Sequence, residues 1–499
     1  MTVEKEHSQQ SPIFKYFKEY NDVTGIHGLR YITERRSTFE KIFWTNIVLV
    51  SLACCLYMIY EILQKYQTSP VVVNFSTRDT PVYEFPFPSV TICPESKYSS
   101  KKFNFTQMYF QLTESNKSKN FIINNGEKIL DDDFYHHIHK LAPEIVMECD
   151  FMGVTYDCKN ILTPVITDQG ICYSFNILDR GLIFTDHVVQ HDDFYEVLND
   201  SKHFNTDSGY APESGIDTYP QRALMSGALN SLDVYLKTNS NDTDYICSNF
   251  MQGFRILIHN PWDVPRLTQN YFRVPIDKIV TAAISPELIL TSDAVRKFSP
   301  DARQCYLSSE RSLRHFKVYT QSNCLFECLT NYTLEKCGCV NYFMPRDNLT
   351  RICGSGNVDC MEEAESELKT KNFGDRLSGK MLCDCKPPCT SLMYQVETSH
   401  SDFYWREYFK IRKRHNLKID WKDAKDEDHW SVLSIFFKAE QFMTLERNEL
   451  YGVCDLIANL GGLLGLFTGF SLITMVEIIY FLTLRIWCNY KLFGRWSGE

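Results

Sequence analysis

The sequence predicts a membrane protein with two transmembrane helices and, between them, one large α+β domain rich in disulfides. Three observations predict it. Phe43 to Tyr60 is an uncharged run of 18 residues, Leu456 to Val476 is a second of 21, and 15 of the 19 cysteines lie in the intervening stretch 64–449.

The first run, with its flanks, reaches the roughly 20 residues that a helix needs to cross a bilayer. It starts too far from the N-terminus for a signal peptide, and no small-residue cleavage site follows it. Arg35, Arg36 and Lys41 precede it. Positive flanks stay cytoplasmic, so 1–41 is expected as an inner tail and 42–63 as the span. After the second run Glu477 interrupts, the apolar pattern resumes from Ile478 to Leu484, and Arg485, Lys491 and Arg495 follow. That places a span at 450–484 and a second inner tail at 485–499. Residues 64–449 are then outside, as in a multi-pass protein of the plasma membrane.

Cysteine at this density in a long chain points to an oxidising compartment. Seven Asn-x-Ser/Thr sites, Asn74, Asn104, Asn116, Asn199, Asn241, Asn331 and Asn348, all fall in the predicted outer region. The formal net charge of -10 argues against nucleic acid as a partner. Val71 to Phe75 reads as a strand leaving the membrane. Glu84-Phe-Pro-Phe-Pro-Ser-Val-Thr-Ile-Cys93 reads as prolines followed by an alternating strand. Further strands are expected at Gly170–Phe175 and Phe254–His259. Residues 100–145 are polar and helix-tolerant, with Asp131 to Asp133 at a helix start. Glu362, Glu363, Glu365 and Glu367 form an acidic stretch expected as solvated surface without a specific role. His136-His-Ile-His139 is expected as plain surface rather than a metal site, because no cysteine or carboxylate accompanies it in fixed spacing. No resident metal or cofactor is expected.

The second apolar run carries Gly461, Gly465 and Gly469 at steps of four, a spacing that lets helices approach closely. Helix packing explains those glycines as well as conduction does. The polar residues Asn459, Thr468, Ser471, Thr474 and Glu477 favour a bundle interior or a water path. They do not form one straight stripe, and a break near Gly469 would realign them.

Four motifs occur in order. His27-Gly28 lies before the first span, and Phe87-Pro-Ser-Val-Thr-Ile-Cys93 follows it. The cysteine run is Cys324-Leu-Phe-Glu-Cys328, Cys337-Gly-Cys339 and Cys383-Asp-Cys385-Lys-Pro-Pro-Cys389. Gly461-Gly-Leu-Leu-Gly-Leu-Phe-Thr-Gly-Phe-Ser471 lies within the second span. Together they resemble the epithelial sodium channel/degenerin family, related to the acid-sensing ion channels, and within it the insect pickpocket-like branch. The resemblance covers nearly the whole chain. It implies a β-sheet palm with helical finger and thumb, in a homo- or heterotrimer of related channel subunits. It also implies sodium as the permeant ion and block by amiloride-like compounds.

The same resemblance implies seven disulfides: Cys93–Cys172, Cys149–Cys158, Cys305–Cys389, Cys324–Cys385, Cys328–Cys383, Cys337–Cys360 and Cys339–Cys353. Cys247 is left over, as a buried thiol or a branch-specific bridge. Gly469, Phe470 and Ser471 would be the selectivity tripeptide, with Phe470 in place of the usual Ala or Ser. Ala458, His27, Gly28 and Tyr66 would take part in gating. Asn459, Gly462, Gly465, Thr468 and Glu477 would line the pore, with Gly462 at the amiloride site. Ser299-Pro-Asp-Ala-Arg-Gln-Cys305 lacks the Pro-Trp pair that the family places opposite the tyrosine.

Two rival classes remain beside a conducting subunit. An ecto-nucleotidase would need Gly-rich phosphate loops beside carboxylates, and Asp168-Gln-Gly170 and Gly354-Ser-Gly356 do not form them. No enzyme activity is expected. A non-conducting auxiliary or chemosensory subunit is separated from a pore-forming one only by recording current.

Overall fold

The computed structural model describes residues 12–34, 36–102, 104, 106, 142–190, 204–206, 209–215, 218–245, 250–268, 270–354, 357–378, 383–414 and 427–496. The chain divides into two compact units. Residues 1–72, 297–303 and 448–499 make the smaller, and 73–296 with 304–447 make the larger.

The smaller unit opens with α1 (Pro12–Val23) and α2 (Leu29–Thr33). The 31-residue α3 (Thr38–Thr68) follows, with Ser37 as its N-cap accepting from the Glu40 N–H. At ~1.5 Å per residue α3 is about 46 Å long, more than the ~30 Å hydrocarbon core. It extends beyond 42–63 at both ends because Glu40, Lys41, Gln64 and Lys65 are good helix formers that carry on past the apolar stretch. Cys55 is its one buried residue.

Among the described residues, fifteen strands lie wholly or mainly in the larger unit: β1 (Val71–Pro81), β2 (Ser89–Pro94), β3 (Val146–Phe151), β4 (Val154–Tyr156), β5 (Leu162–Thr167), β6 (Gly170–Phe175), β7 (Phe204–Asn205), β8 (Gly209–Tyr210), β9 (Leu232–Asn239), β10 (Phe254–His259), β11 (Phe272–Val274), β12 (Lys278–Thr291), β13 (Ser391–Asp402), β14 (Asp428–Phe437) and β15 (Gln441–Glu449). One sheet runs β1-β15-β12-β14-β9-β3-β4, with β13 also on β12, and a second runs β11-β10-β2-β6-β5. β12 is the spine of the first: antiparallel to β13 from Lys278↔Asp402 to Ile289↔Ser391, and parallel to β14 and then β15. Its Val280, Ala282 and Ile284 point into the core at the period of two that a half-buried strand requires. β2 departs from expectation: every residue from Ser89 to Pro94 is buried, because β10 and β6 pair with its two edges while Val90 and Ile92 pack into one core cluster and Cys93 into another.

Three longer helices accompany the sheets: α4 (Gln321–Cys337), α5 (Val358–Ser378) and α6 (Trp405–Arg414). Thr320 caps α4 through the Asn323 N–H at 3.0 Å. Cys324 and Cys328 stand one turn apart on one face of α4 and bond Cys385 and Cys383, while Cys305 bonds Cys389. The remaining bridges are Cys93–Cys172, Cys149–Cys158, Cys337–Cys360 and Cys339–Cys353. The acidic stretch of α5 is not partnerless surface: Lys336 of α4 meets Glu367 at 2.6 Å and Glu363 at 3.3 Å, and Glu365 takes Lys369 at 2.9 Å. The i,i+3 and i,i+4 spacing that ranges these glutamates along one side of the helix also turns two of them toward α4.

The smaller unit closes with α7 (Val453–Thr468), α8 (Leu472–Leu482) and α9 (Leu484–Phe493). The Leu450 N–H donates to the Pro70 carbonyl at 2.7 Å, tying the exit of α3 to the approach to α7. Residues 297–303 belong to this unit, and Lys297 pairs with Glu449 at 3.2 Å. Cys247 and the 136–139 histidines lie outside the described residues.

Candidate functional site

The second apolar run is not one helix. The 16 residues of α7 reach roughly 24 Å, short of a ~30 Å core. Gly469 then takes φ 71°, ψ 12°, and its N–H closes a last turn on the Gly465 carbonyl at 2.9 Å. This is the left-handed C-terminal stop that glycine adopts without strain. Ser471 is extended and begins α8. Its Oγ accepts from the Thr474 N–H at 3.2 Å, and the Ser471 N–H donates to Thr474 Oγ1 at 3.3 Å. This reciprocal pair satisfies two donors at the head of α8. Ser471, expected as a filter residue, is also the N-cap of α8.

Where the backbone groups go decides what the break can do. The Thr468 carbonyl accepts the His27 N–H at 2.9 Å, and the Phe467 carbonyl accepts the Ser51 hydroxyl at 2.6 Å. Thr468 Oγ1 donates to the Leu464 carbonyl at 2.6 Å. Among the described residues, the carbonyls of Gly469 and Phe470 accept no hydrogen bond. Two adjacent backbone acceptors at the break are therefore without an intrachain donor among the described residues.

The amino-terminal turn seals the other side of the break. Between α1 and α2, the Gly25 N–H reaches the Glu477 carboxylate at 3.4 Å. A Cβ at Gly469 would lie 2.8 Å from the Gly25 carbonyl and 2.9 Å from the His27 ring. Gly28, at φ 89°, lies so close to α3 that a Cβ would sit 2.6 Å from Val48 Cγ2. His27 and Gly28 are thus brought to the break. An apolar cavity of about 460 Å³ opens beside it, lined by Ile26, His27, Trp44, Val48, Phe467 and Phe470 among others. Phe470 lies in its wall and is half-buried. α1 braces α8 and α9: the Tyr16 hydroxyl donates to the Phe481 carbonyl at 2.5 Å, and Glu19 pairs with Arg485 at 2.5 Å.

The remaining predicted residues spread along the helices. Ala458, Asn459 and Gly462 are exposed on α7, and a Cβ at Gly461 or Gly462 meets open space. Nothing in the chain's own packing requires glycine there. Gly465 sits under the break, its Cβ position 3.8 Å from the Phe470 carbonyl. Thr474 is 2% exposed, and Glu477 is half-buried. Tyr66 is near the far end of α3, about 27 Å along the axis from Val48, and joins none of these residues. Asn74, Asn104, Asn241, Asn331 and Asn348 are exposed; Asn116 and Asn199 lie outside the described residues. Sequence reasoning missed Gly25 and Ser51. Thr24-Gly25 is a turn signal that was readable; a serine within an apolar helix carries no such mark.

Residues 20–481 match the family described as amiloride-sensitive sodium channel. Pickpocket protein 28 of Drosophila melanogaster is 26% identical over 484 residues, covering 93% of this chain and 77% of that one. Sodium channel protein Nach of the same fly is 23% identical over 504 residues, 95% of this chain and 88% of its own. Acid-sensing ion channel 4-B of Danio rerio is 24% identical over 471 residues, 91% and 74%. A cryo-EM structure of a proton-activated chloride channel aligns with 89% of the chain at 8% identity and a TM-score of 0.29, too low to establish a shared fold.

Proposed function

Because the chain belongs to the amiloride-sensitive sodium channel family, we propose that it is a pore-forming subunit of a sodium-conducting channel in the plasma membrane. The single observation that carries the reading is the break at Gly469 and Phe470, with two backbone carbonyls free at membrane depth. Repeated around an axis by three related subunits, such carbonyls form a ring that replaces part of a cation's hydration shell. Gly469 supplies the backbone turn and Ser471 holds α8 in place. Phe470 packs sideways into the cavity beside α3 instead of narrowing the ring. His27 and Gly28 buttress the break from the cytosolic side, and Glu477 attracts cations at the inner mouth. Both termini are cytosolic, with 42–63 and 450–484 crossing the membrane and 64–449 outside. The exposed face of α7, with Ala458, Asn459, Gly461 and Gly462, meets the neighbouring subunits and the pore. Amiloride-like blockers act at Gly462.

The test is ion selectivity in a conducting complex. Sodium and potassium reversal potentials should shift in Gly469→Ala and stay in place in Glu477→Gln, which lowers unitary current instead. Selectivity lost in Glu477→Gln alone would assign the filter to the carboxylate ring. Ala458→Phe should leave a constitutive sodium current, because the bulk cannot repack into a closed bundle.

A further inference from the structure

Away from the membrane, in the larger unit, two histidines from distant parts of the chain meet. His315 precedes α4 and is 4% exposed. His187 lies on an exposed turn, and the two ring centroids are 5.5 Å apart with the planes inclined at 48°. Their backbones are fixed. The Thr185 N–H donates to the His315 carbonyl at 3.1 Å and the Lys317 N–H to the Ile183 carbonyl at 2.8 Å, while Phe184 and Phe316 form a β-bridge. Glu327 of α4 accepts the His315 N–H at 2.7 Å.

One polar atom in this arrangement is unaccounted for. His315 Nδ1 is buried without a hydrogen-bond partner. A buried orphan of this kind costs stability unless an ion or water completes it. The carboxylates nearby are committed: Glu327 takes backbone N–H groups, Asp347 pairs with Arg314 at 2.9 Å and Asp186 with Lys317 at 2.7 Å. An imidazole of the second histidine is the remaining neighbour with a lone pair to share a cation. Zinc bonds imidazole nitrogen at about 2.0–2.1 Å, and two such bonds at a tetrahedral angle put ring centroids about 5 Å apart. The observed centroid separation of 5.5 Å is close to that spacing.

We propose that His187 and His315 form a two-histidine site for a borderline-soft divalent cation, zinc foremost, which clamps the 183–187 turn to the segment leading into α4. No third His, Cys, Asp or Glu completes a cluster among the described residues, so water fills the other positions. Such a site is exchangeable and regulatory rather than structural, because structural zinc takes four protein ligands. Imidazole favours zinc, copper and nickel over magnesium and calcium.

The test is calorimetric titration of zinc chloride into the purified full-length chain in lipid nanodiscs at neutral pH. It reads binding without any current, so it stands apart from the channel reading. One binding event per chain should weaken at least about tenfold in His187→Ala and in His315→Gln, as loss of a ligand demands. His187→Cys should restore it through a thiolate ligand, and His400→Ala, an exposed histidine on β13, should leave it unchanged. Equal zinc affinity and stoichiometry in the wild type and His187→Ala overturns the site. So does a His400→Ala variant that loses as much. His187 is exposed, so its substitution tests the proposal even where the His315 variant fails to fold.

Discussion

The larger unit and the smaller unit are built on opposite terms. In the larger, among the described residues, seven disulfides, two large sheets with a two-stranded third, and a core of residues such as Phe87, Phe175, Phe254 and Trp430 close the structure on itself. In the smaller, the helices are apolar but barely buried, and the firm contacts are polar ones: His27 to Thr468, Ser51 to Phe467, Ser471 to Thr474. One unit is finished within a single chain. The other leaves a face of α7, including Gly461 and Gly462, with nothing packed on it. Among the described residues, disulfides and buried apolar side chains are concentrated in the larger unit and exposed apolar helix faces in the smaller. Substitutions should therefore divide cleanly: in the smaller unit they change current, in the larger they change stability.

The largest effect is expected at the break. Gly469→Val places a Cβ against the Gly25 carbonyl and the His27 ring, at a φ that a β-branched residue avoids. Such strain spans about 1–3 kcal/mol, and above about 1.4 kcal/mol it shifts the local equilibrium tenfold or more. Whole-cell current should fall by at least about tenfold with surface expression unchanged, and Gly465→Ala should retain current. Surface expression lost together with current would remove the contrast between the units.

Next comes the ladder. Opening Cys324–Cys385 by Cys324→Ser with Cys385→Ser leaves Cys328–Cys383 and Cys305–Cys389 closing the same segment, so the cost should fall at or below the low end of the ~2–4 kcal/mol typical of one bridge. Thermal unfolding of the purified full chain should show it as a lowered Tm, and cells as reduced delivery to the surface. Channels that do arrive should keep wild-type selectivity. A changed sodium-to-potassium ratio would mean that the larger unit helps set the filter.

Much of the fold was legible beforehand. The fold class follows from two apolar runs and the cysteines between them, and β6 and β10 occupy the segments that read as strands. The glycine interruption was readable because positive φ has few other occupants. What could not be read depends on contacts made far along the chain. His27 lies more than 400 residues from Thr468, and no local pattern states that its N–H will meet that carbonyl. The same holds for β2, whose full burial needs β6 and β10 on its edges and core residues from distant segments on both faces, and for Lys336, which pairs with Glu367 only once α4 and α5 lie side by side. The segment 297–303 lacks the expected Pro-Trp pair yet groups with the membrane helices, so its place follows from packing and not from that motif.

A third contrast lies within the larger unit, where one patch is less settled than the rest. Asp150 of β3 and Asp233 of β9 are directly opposed in register, and Glu148 is opposite Tyr235 one step along. Like charges so placed cost stability. Burial holds the Asp233 carboxyl above the usual aspartate range, with Asp150 adding to the rise, while hydrogen bonds from Ser434 and Ser231 oppose it. Burial and then Asp150 also raise Glu148, against the Arg412 guanidinium. Tyr235 is raised as well, by burial first, then by its hydrogen bond with Tyr408 of α6 and by the same carboxylates. A carboxyl whose folded pKa is raised favours the folded state when protonated. Its contribution is present at acid pH and is lost as pH rises from the unfolded value through the folded one. Asp233→Asn removes the charge, keeps the shape and can still accept from Ser231 and Ser434. At neutral pH it should raise Tm by about one degree, in line with a cross-strand charge pair worth under about 1 kcal/mol. The gain should shrink as pH falls through the raised carboxyl range, where the wild-type group takes up its own proton. A lower Tm at neutral pH would mean that the serine hydroxyls bind the charged carboxylate strongly enough to outweigh its burial and its opposition to Asp150.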